Sequence, residues 1–135
     1  MKHLVPAMLL VTATAIAGPA APMQALDEAR LLPVVTRNLH PGQQPHLALN
    51  LPGMTPLFLI GDDPQSTEWL RQHRDGLKTL HATGLVVNVT TLARLNVLRA
   101  IAPALTLLPV SADDMAKHLP ITAYPVLITD KGLEQ

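Results

Sequence analysis

Between Pro56 and Gln135 the sequence alternates four short apolar runs with segments of helical period, and that alternation leaves few architectures open to it. Leu57-Phe-Leu-Ile60, Leu85-Val-Val-Asn-Val89, Leu105-Thr-Leu-Leu108 and a fourth run opening at Tyr124 and centred on Val126-Leu-Ile128 are short enough for strands and apolar enough to be covered on both faces. Between the first two, Leu70, His73, Leu77 and Leu80 recur at steps of three and four, which predicts a helix running to about Ala82 with Arg71, Arg74, Asp75 and Lys78 largely off its inner face. Leu92, Leu95, Leu98 and Ala102 predict a second helix ending before Pro103, and Ser111–His118 a short third, with acids first and His118 near its end as a helix dipole favours. Strands and helices joined by short turns build βαβ units, so the expected class is α/β, a mostly parallel sheet with helices on its faces.

The punctuation residues refine this outline. After Ile60 comes Gly61-Asp62-Asp63-Pro64, with Asp63 placed to cap a helix and Pro64 at its first position. Gly84 is expected to stop that helix, and Gly76 inside it costs ~1 kcal/mol relative to alanine, so close packing is expected there. Thr90 or Thr91, and then Ser111, are the caps expected for the next two helices. Asp130-Lys-Gly132 supplies the positive-φ residue of a tight turn. Pro125 stands at the entrance of the last strand, where a residue without an N–H leaves a neighbouring backbone group free to receive something.

Upstream, Lys2 and His3 precede an apolar stretch, Leu4–Ala17, that closes on Ala15-Ile-Ala17. Residues 1–17 therefore read as a secretory signal peptide. An uncleaved anchor is the alternative, since no charge occurs between Leu4 and Asp27, but Pro6, the threonines and the Gly/Pro/Ala run from Gly18 to Pro22 make a poor membrane helix. Residues 18–55 form an extended arm. A turn or two of helix fits Ala25–Leu32, after which Pro33, Pro41, Pro45, Pro52 and Pro56 break regular structure. Val34-Val35, Leu47, Leu49 and Leu51 suggest strand pieces laid along the domain edge or onto a partner, a flexible tether being the other reading. His40 and His46 read as solvated loop residues.

The 135 residues, 48% of them hydrophobic, make one domain, here residues 56–135, with a modest core. Ten basic residues balance ten acidic ones, and one Phe, one Tyr and one Trp leave little to stack on bases, so no nucleic-acid partner is expected. With no cysteine, disulfides, thiolate metal sites, thiol redox chemistry and a lipoprotein anchor are excluded. Walker, dinucleotide and Gly-x-Ser-x-Gly motifs do not occur either, and no cofactor or metal is expected.

In an open α/β sheet the crevice beyond the strands' carboxyl ends is the usual ligand position, and here it gathers Asp62, Asp63, Asn88 and Thr90. Paired acids can act as acid and base or hold a cation, but capping already explains Asp63, as helix starts explain Asp113 and Asp114. His73 and His81 are too far apart on one helix to share an ion as an i, i+4 pair would, and read as partly buried polar residues. Ser66 reads as a first-turn helix residue. Trp69 reads as core, or as a contact anchor beside the crevice.

A family resemblance is carried by the last third of the chain. Ala116-Lys-His-Leu119, then Ile121-Thr-Ala-Tyr-Pro-Val-Leu-Ile128 and a Lys-Gly turn, resemble the end of a thioredoxin-like domain, where a cis-proline precedes a central strand. Pro56-Leu-Phe-Leu-Ile-Gly-Asp-Asp-Pro64, Gly84-Leu-Val-Val-Asn-Val89 and Tyr124-Pro-Val-Leu-Ile-Thr129 together are similar to a family encoded in integrating conjugative elements, over about residues 45–135. The layout is also similar to periplasmic thioredoxin-like proteins that help assemble F-type conjugative pili. The resemblance implies a thioredoxin-like βαβαβαβ domain with a mixed sheet, an antiparallel last strand and a cis Tyr124-Pro125 bond. The Gly61–Ser66 loop would stand where that family carries Cys-x-x-Cys, with neither cysteine present. It further implies a periplasmic, non-enzymatic accessory or scaffold protein of a conjugative type IV secretion apparatus. Protein components of that apparatus would be its partners, bound through Asp62, Asp63, Pro64, Trp69, Tyr124 and Pro125, with transient membrane association through the N-terminus. Two other classes stay open: a hydrolase or metal-assisted enzyme using Asp62 and Asp63, and a small-molecule binder with a closed apolar pocket.

Overall fold

The computed structural model describes residues 23–135, so the signal-peptide reading of residues 1–17 lies outside the described residues. In chain order the elements are α1 (Met23–Leu31), β1 (His40–Pro41), β2 (Leu47–Ala48), β3 (Leu57–Gly61), α2 (Pro64–Thr79), β4 (Thr83–Asn88), α3 (Leu92–Ile101), β5 (Leu107–Pro109), α4 (Asp113–His118), β6 (Ala123–Tyr124), β7 (Val126–Thr129) and β8 (Gly132–Glu134). One mixed sheet runs in the order β2-β8-β7-β3-β4-β5. Its β3, β4 and β5 are parallel, while β7 is antiparallel to β3, β8 to β7 and β2 to β8. The arm's β1 pairs in parallel with β6.

Side chains alternate across the strands and so supply two cores. Phe58, Ile60, Val86, Leu107 and Leu127 face Trp69, Leu70 and Leu77 of α2 and Leu95 and Leu98 of α3. Leu59, Val87, Val126, Ile128 and Leu133 face the other way, under Ala112 at the start of α4, Met115 within it, and Leu39 of the arm. Burying each large side chain such as Phe58 or Leu59 contributes roughly 1.5–3 kcal/mol, so the two faces together hold the sheet in place.

Several local expectations are corrected. The first body helix ends at Thr79, not near Ala82, because His81 takes the left-handed position with φ 53°. Ala82 N–H then bonds Leu77 O and His81 N–H bonds Lys78 O, both at 3.0 Å, the paired bonds of a Schellman stop. Gly84 is therefore not the helix stop. It lies inside β4, where an added Cβ would come within 2.4 Å of Phe58 Cζ and 2.5 Å of Leu107 Cδ2. Gly76, expected to be closely packed, has nothing within 4 Å of such a position. Leu80 is 43% exposed and His81 is exposed as well, so the inner face is Ser66, Trp69, Leu70 and Leu77. The third body strand starts at Leu107 because Leu105 N–H is used in a turn to Ala102 O. Ser111 is one residue too early to cap α4: Ala112 holds the cap position, and Ser111 Oγ accepts from Asp113 N–H at 3.3 Å. The fourth run is interrupted at Pro125 into β6 and β7 and is followed by β8 across a two-residue Asp130-Lys131 turn, so the body has more strands than the four expected.

Candidate functional site

Two elements end at the carboxyl edge of the parallel strands, and their last residues build a polar cluster. At the end of β3, Gly61 N–H donates to Ser66 Oγ at 3.0 Å, and Ser66 is fully buried. Gly61 itself is required by the ring of Tyr124, since a Cβ there would lie 2.6 Å from Tyr124 Cε2. Asp63 caps α2, its Oδ2 accepting from Ser66 N–H at 2.9 Å, and Pro64 opens the helix, both as the sequence predicts. The other carboxylate oxygen, Asp63 Oδ1, is buried without a hydrogen-bond partner. Asp62 is held from both sides of its carboxylate by Arg94, Nε to Oδ2 at 2.9 Å and Nη2 to Oδ1 at 2.8 Å. This fork raises the Arg94 pKa further above its already high value.

At the end of β4, Asn88 ties three segments together. Its Nδ2 donates to Tyr124 Oη at 2.7 Å, and its Oδ1 accepts from Thr36 N–H of the arm at 2.9 Å. Thr36, 3% exposed, donates its hydroxyl to Val87 O at 2.7 Å and accepts from Ala112 N–H at 3.0 Å. Burial pushes the Tyr124 hydroxyl pKa up, the Asn88 bond opposes the shift, and the negative charge of Asp63 adds to it. Thr90, expected in this crevice, is exposed and takes no part in these bonds.

The Tyr124-Pro125 bond is cis, and the edge beside it is already filled. Gly42 N–H donates to Tyr124 O at 3.1 Å, continuing the β1–β6 ladder. Gln44, 5% exposed, uses one side-chain oxygen to accept from Thr122 N–H at 2.8 Å and Ala123 N–H at 3.1 Å. Gln65 and Gln135 donate to Gly42 O at 2.7 and 2.8 Å, and Gln135 donates to Pro125 O at 2.8 Å as well. The backbone group that the sequence leaves free at Pro125 is thus satisfied by the chain's own residues.

The six residues of the expected partner surface separate into two groups. Asp62, Asp63 and Pro64 line an open depression of about 380 Å³ with Thr67, Arg71 and Arg94, and Tyr124 and Pro125 are buried immediately behind the Asp63 cap. Trp69 packs into the core under α2 and α3, on the sheet face opposite Tyr124 and outside the depression. It is 7% exposed, stacked on His73 with ring centroids 4.6 Å apart, and its indole Nε1 is buried without a partner. It borders a separate apolar groove of about 460 Å³ with His73, Gly76, Leu77, Leu80 and Leu127. Among the described residues no group of three His, Cys, Asp or Glu converges as metal ligands would, and no helix is long and apolar enough to cross a membrane.

Arg94, Thr36 and Gln44 were not marked by the sequence. Arg94 sits among the polar positions of an amphipathic helix, and Gln44 lies in a Pro-Gly-Gln-Gln-Pro run indistinguishable from a loop; their roles depend on partners 32 and 78 or more residues away. Compared with known families, residues 9–133 match DUF2859, described as a protein of unknown function. No curated protein and no solved structure matches the chain.

Proposed function

The chain belongs to the DUF2859 family, and we propose that it is a non-enzymatic accessory or scaffold protein that binds protein partners in the type IV secretion apparatus of an integrating conjugative element. In this reading it is exported to the periplasm, and its body is a thioredoxin-like domain whose reactive loop has become a cysteine-free contact surface. The observation that carries the reading is the open depression lined by Asp62, Asp63, Pro64, Arg71 and Arg94, the part of the expected partner surface that the chain's own arm leaves uncovered. The Ala123–Pro125 edge behind it already seats the chain's own His40–Gln44 by main-chain bonds and by Gln44, the geometry of strand addition. The nearby carboxylates are engaged in structural bonds, Asp62 with Arg94 and Asp63 with the α2 cap, which supports contact over chemistry. The antiparallel pairing of β7 with β3 supports the thioredoxin-like layout. The conjugative setting rests on the resemblance of Pro56–Pro64, Gly84–Val89 and Tyr124–Thr129.

The test is affinity purification of the tagged chain after crosslinking in cells that carry the whole conjugative locus. Apparatus proteins should be recovered, and the recovery should be lost with Arg71→Glu, an exposed change in the depression beside Asp62. A folded chain that captures no apparatus protein would overturn the proposal.

A further inference from the structure

The occupied edge raises the question of which molecule supplies the occupant. Among the described residues, the segment before Pro52 grips the body at separate places. Glu28 of α1 pairs with Arg99 of α3; Val34 bridges Val89; Thr36 bonds Val87, Asn88 and Ala112; β1 and Gln44 lie on β6; and β2 lies on β8, with Leu49 and Leu51 N–H bonding Lys131 O and Asp130 O. The covalent tie that returns this arm to its own body is Pro52-Gly-Met-Thr-Pro56. Two of its residues have no N–H, Gly53 sits at φ 79°, and Pro52, Gly53 and Thr55 are exposed. Its bonds within the fold are few: Met54 N–H to Leu51 O at 3.1 Å and Pro56 O from Thr83 N–H at 3.2 Å.

Such a tie sets the direction of the arm, and Met54 is its contact with the core beside Leu49 and Leu51. Straightened, its five residues span about 17 Å, enough to carry the arm away from its own sheet. An arm that lifts leaves β6 and β8 as bare edges and uncovers the site of Leu39, which is completely buried. Bare edges are templates for another strand, and the segment whose side chains already match these two edges is the same arm on another copy. We propose that the chain forms an arm-exchanged dimer, in which residues 23–51 of each copy cross to the other and seat on its β6 and β8. Thr36 and Gln44 of one copy then complete the polar cluster around Asn88 and Tyr124 of the other. Every bond across the arm is retained in the exchange, so the dimer is favoured by concentration and opposed mainly by the hinge. The inference concerns the edge behind the depression on which the proposal above rests and is tested on the purified chain alone, so the two can fail separately.

The chain has no cysteine, which makes disulfide trapping direct. His40 and Ala123 are ladder partners, within disulfide reach of one another. The chain carrying His40→Cys is mixed with the chain carrying Ala123→Cys, equilibrated through a cycle of partial unfolding in urea at high concentration, and oxidised gently. A covalent heterodimer should exceed either homodimer about tenfold, because pairing raises the effective concentration of the two thiols above that of random collision. Leu47→Cys mixed with Leu133→Cys reads the other edge in the same way. A chain carrying both cysteines of one pair must close a disulfide, within itself or across the dimer, and so reports that the fold survives. Heterodimer at homodimer level in both mixtures, with a closed disulfide in the doubly substituted chain, would overturn the proposal.

Discussion

Exchanging each of two glycines for alanine should move stability in opposite directions. A methyl group on Gly84 meets Phe58 Cζ at 2.4 Å, Phe58 Cε2 at 2.5 Å and Leu107 Cδ2 at 2.5 Å. These distances are far inside the ~3.5–4.0 Å optimum for carbon pairs. Phe58 is completely buried and Leu107 2% exposed, so neither side chain has room to swing away and the sheet must part locally. Overpacking of this kind costs roughly 1–3 kcal/mol. A methyl group on Gly76 meets nothing within 4 Å, and there alanine removes glycine's helical penalty, a gain of about 0.5–1 kcal/mol. Urea unfolding followed by the fluorescence of Trp69, the chain's single tryptophan, measures both. With a slope of ~1–3 kcal/mol per molar urea, the two midpoints should lie about 0.5–4 M apart, on either side of the parent. Adding Phe58→Leu, which removes the clashing ring atoms, should recover part of the Gly84→Ala loss, a coupling of about 0.5–3 kcal/mol that a glycine at a helix terminus would not show. A Gly84→Ala midpoint indistinguishable from the parent, or a Gly76→Ala midpoint below it, would refute the packing argument.

The link between α1 and α3 gives a pH signature. Glu28 accepts from both Arg99 nitrogens, and that guanidinium holds its carboxyl below the ordinary 4.5. Stability from a lowered carboxylate is present above the unfolded value and lost as pH falls through the folded one, so Glu28→Gln should cost about 1 kcal/mol at pH 7, and the gap should begin to close as pH drops below 4.5 and vanish below the folded value. Thermal melts across that range that keep a constant gap would refute the ion pair as its source. Asn88→Ala leaves Thr36 N–H without its acceptor and Tyr124 Oη without its donor, and should cost roughly 1–3 kcal/mol in urea unfolding. Tyr124→Phe added to it should cost little more; a fully additive second loss would show that the two side chains do not act together.

The parts of the fold that the sequence discloses are those decided within a few residues. Leu57–Ile60 is apolar because it crosses between two cores, and Asp63-Pro64 carries its cap and first turn in adjacent positions. Gly84 does not stop the helix and Gly76 is not closely packed, each for a physical reason. A glycine after an amphipathic run is the usual helix stop, but His also tolerates the left-handed region, and His81 takes that place three residues before Gly84. What Gly84 and Gly76 meet is set by Phe58, Leu107 and an empty groove, none of which is local. The same holds for the site. Asp62, Asp63 and Tyr124 are legible, whereas Trp69 turns inward from the same helix that Asp63 caps, and sequence proximity does not say which side of a helix meets the core. Nothing near Gln44 hints that its one oxygen would serve two backbone donors in residues 122 and 123.

The arm also dictates an order of assembly. Its Thr36 hydroxyl reaches Val87 across 51 positions of chain, Gln44 reaches Thr122 across 78, and Gln135 returns to Gly42 across 93. Closing loops of that length costs entropy that is repaid only after the far strands are in place. The arm's partners lie on β4, β6, β8 and the turn before α4, so the arm is expected to dock after those strands have paired. During that interval β6 and β8 meet whatever extended segment arrives soonest, so the crowding of the compartment in which the chain folds helps decide which polypeptide ends up on its edge.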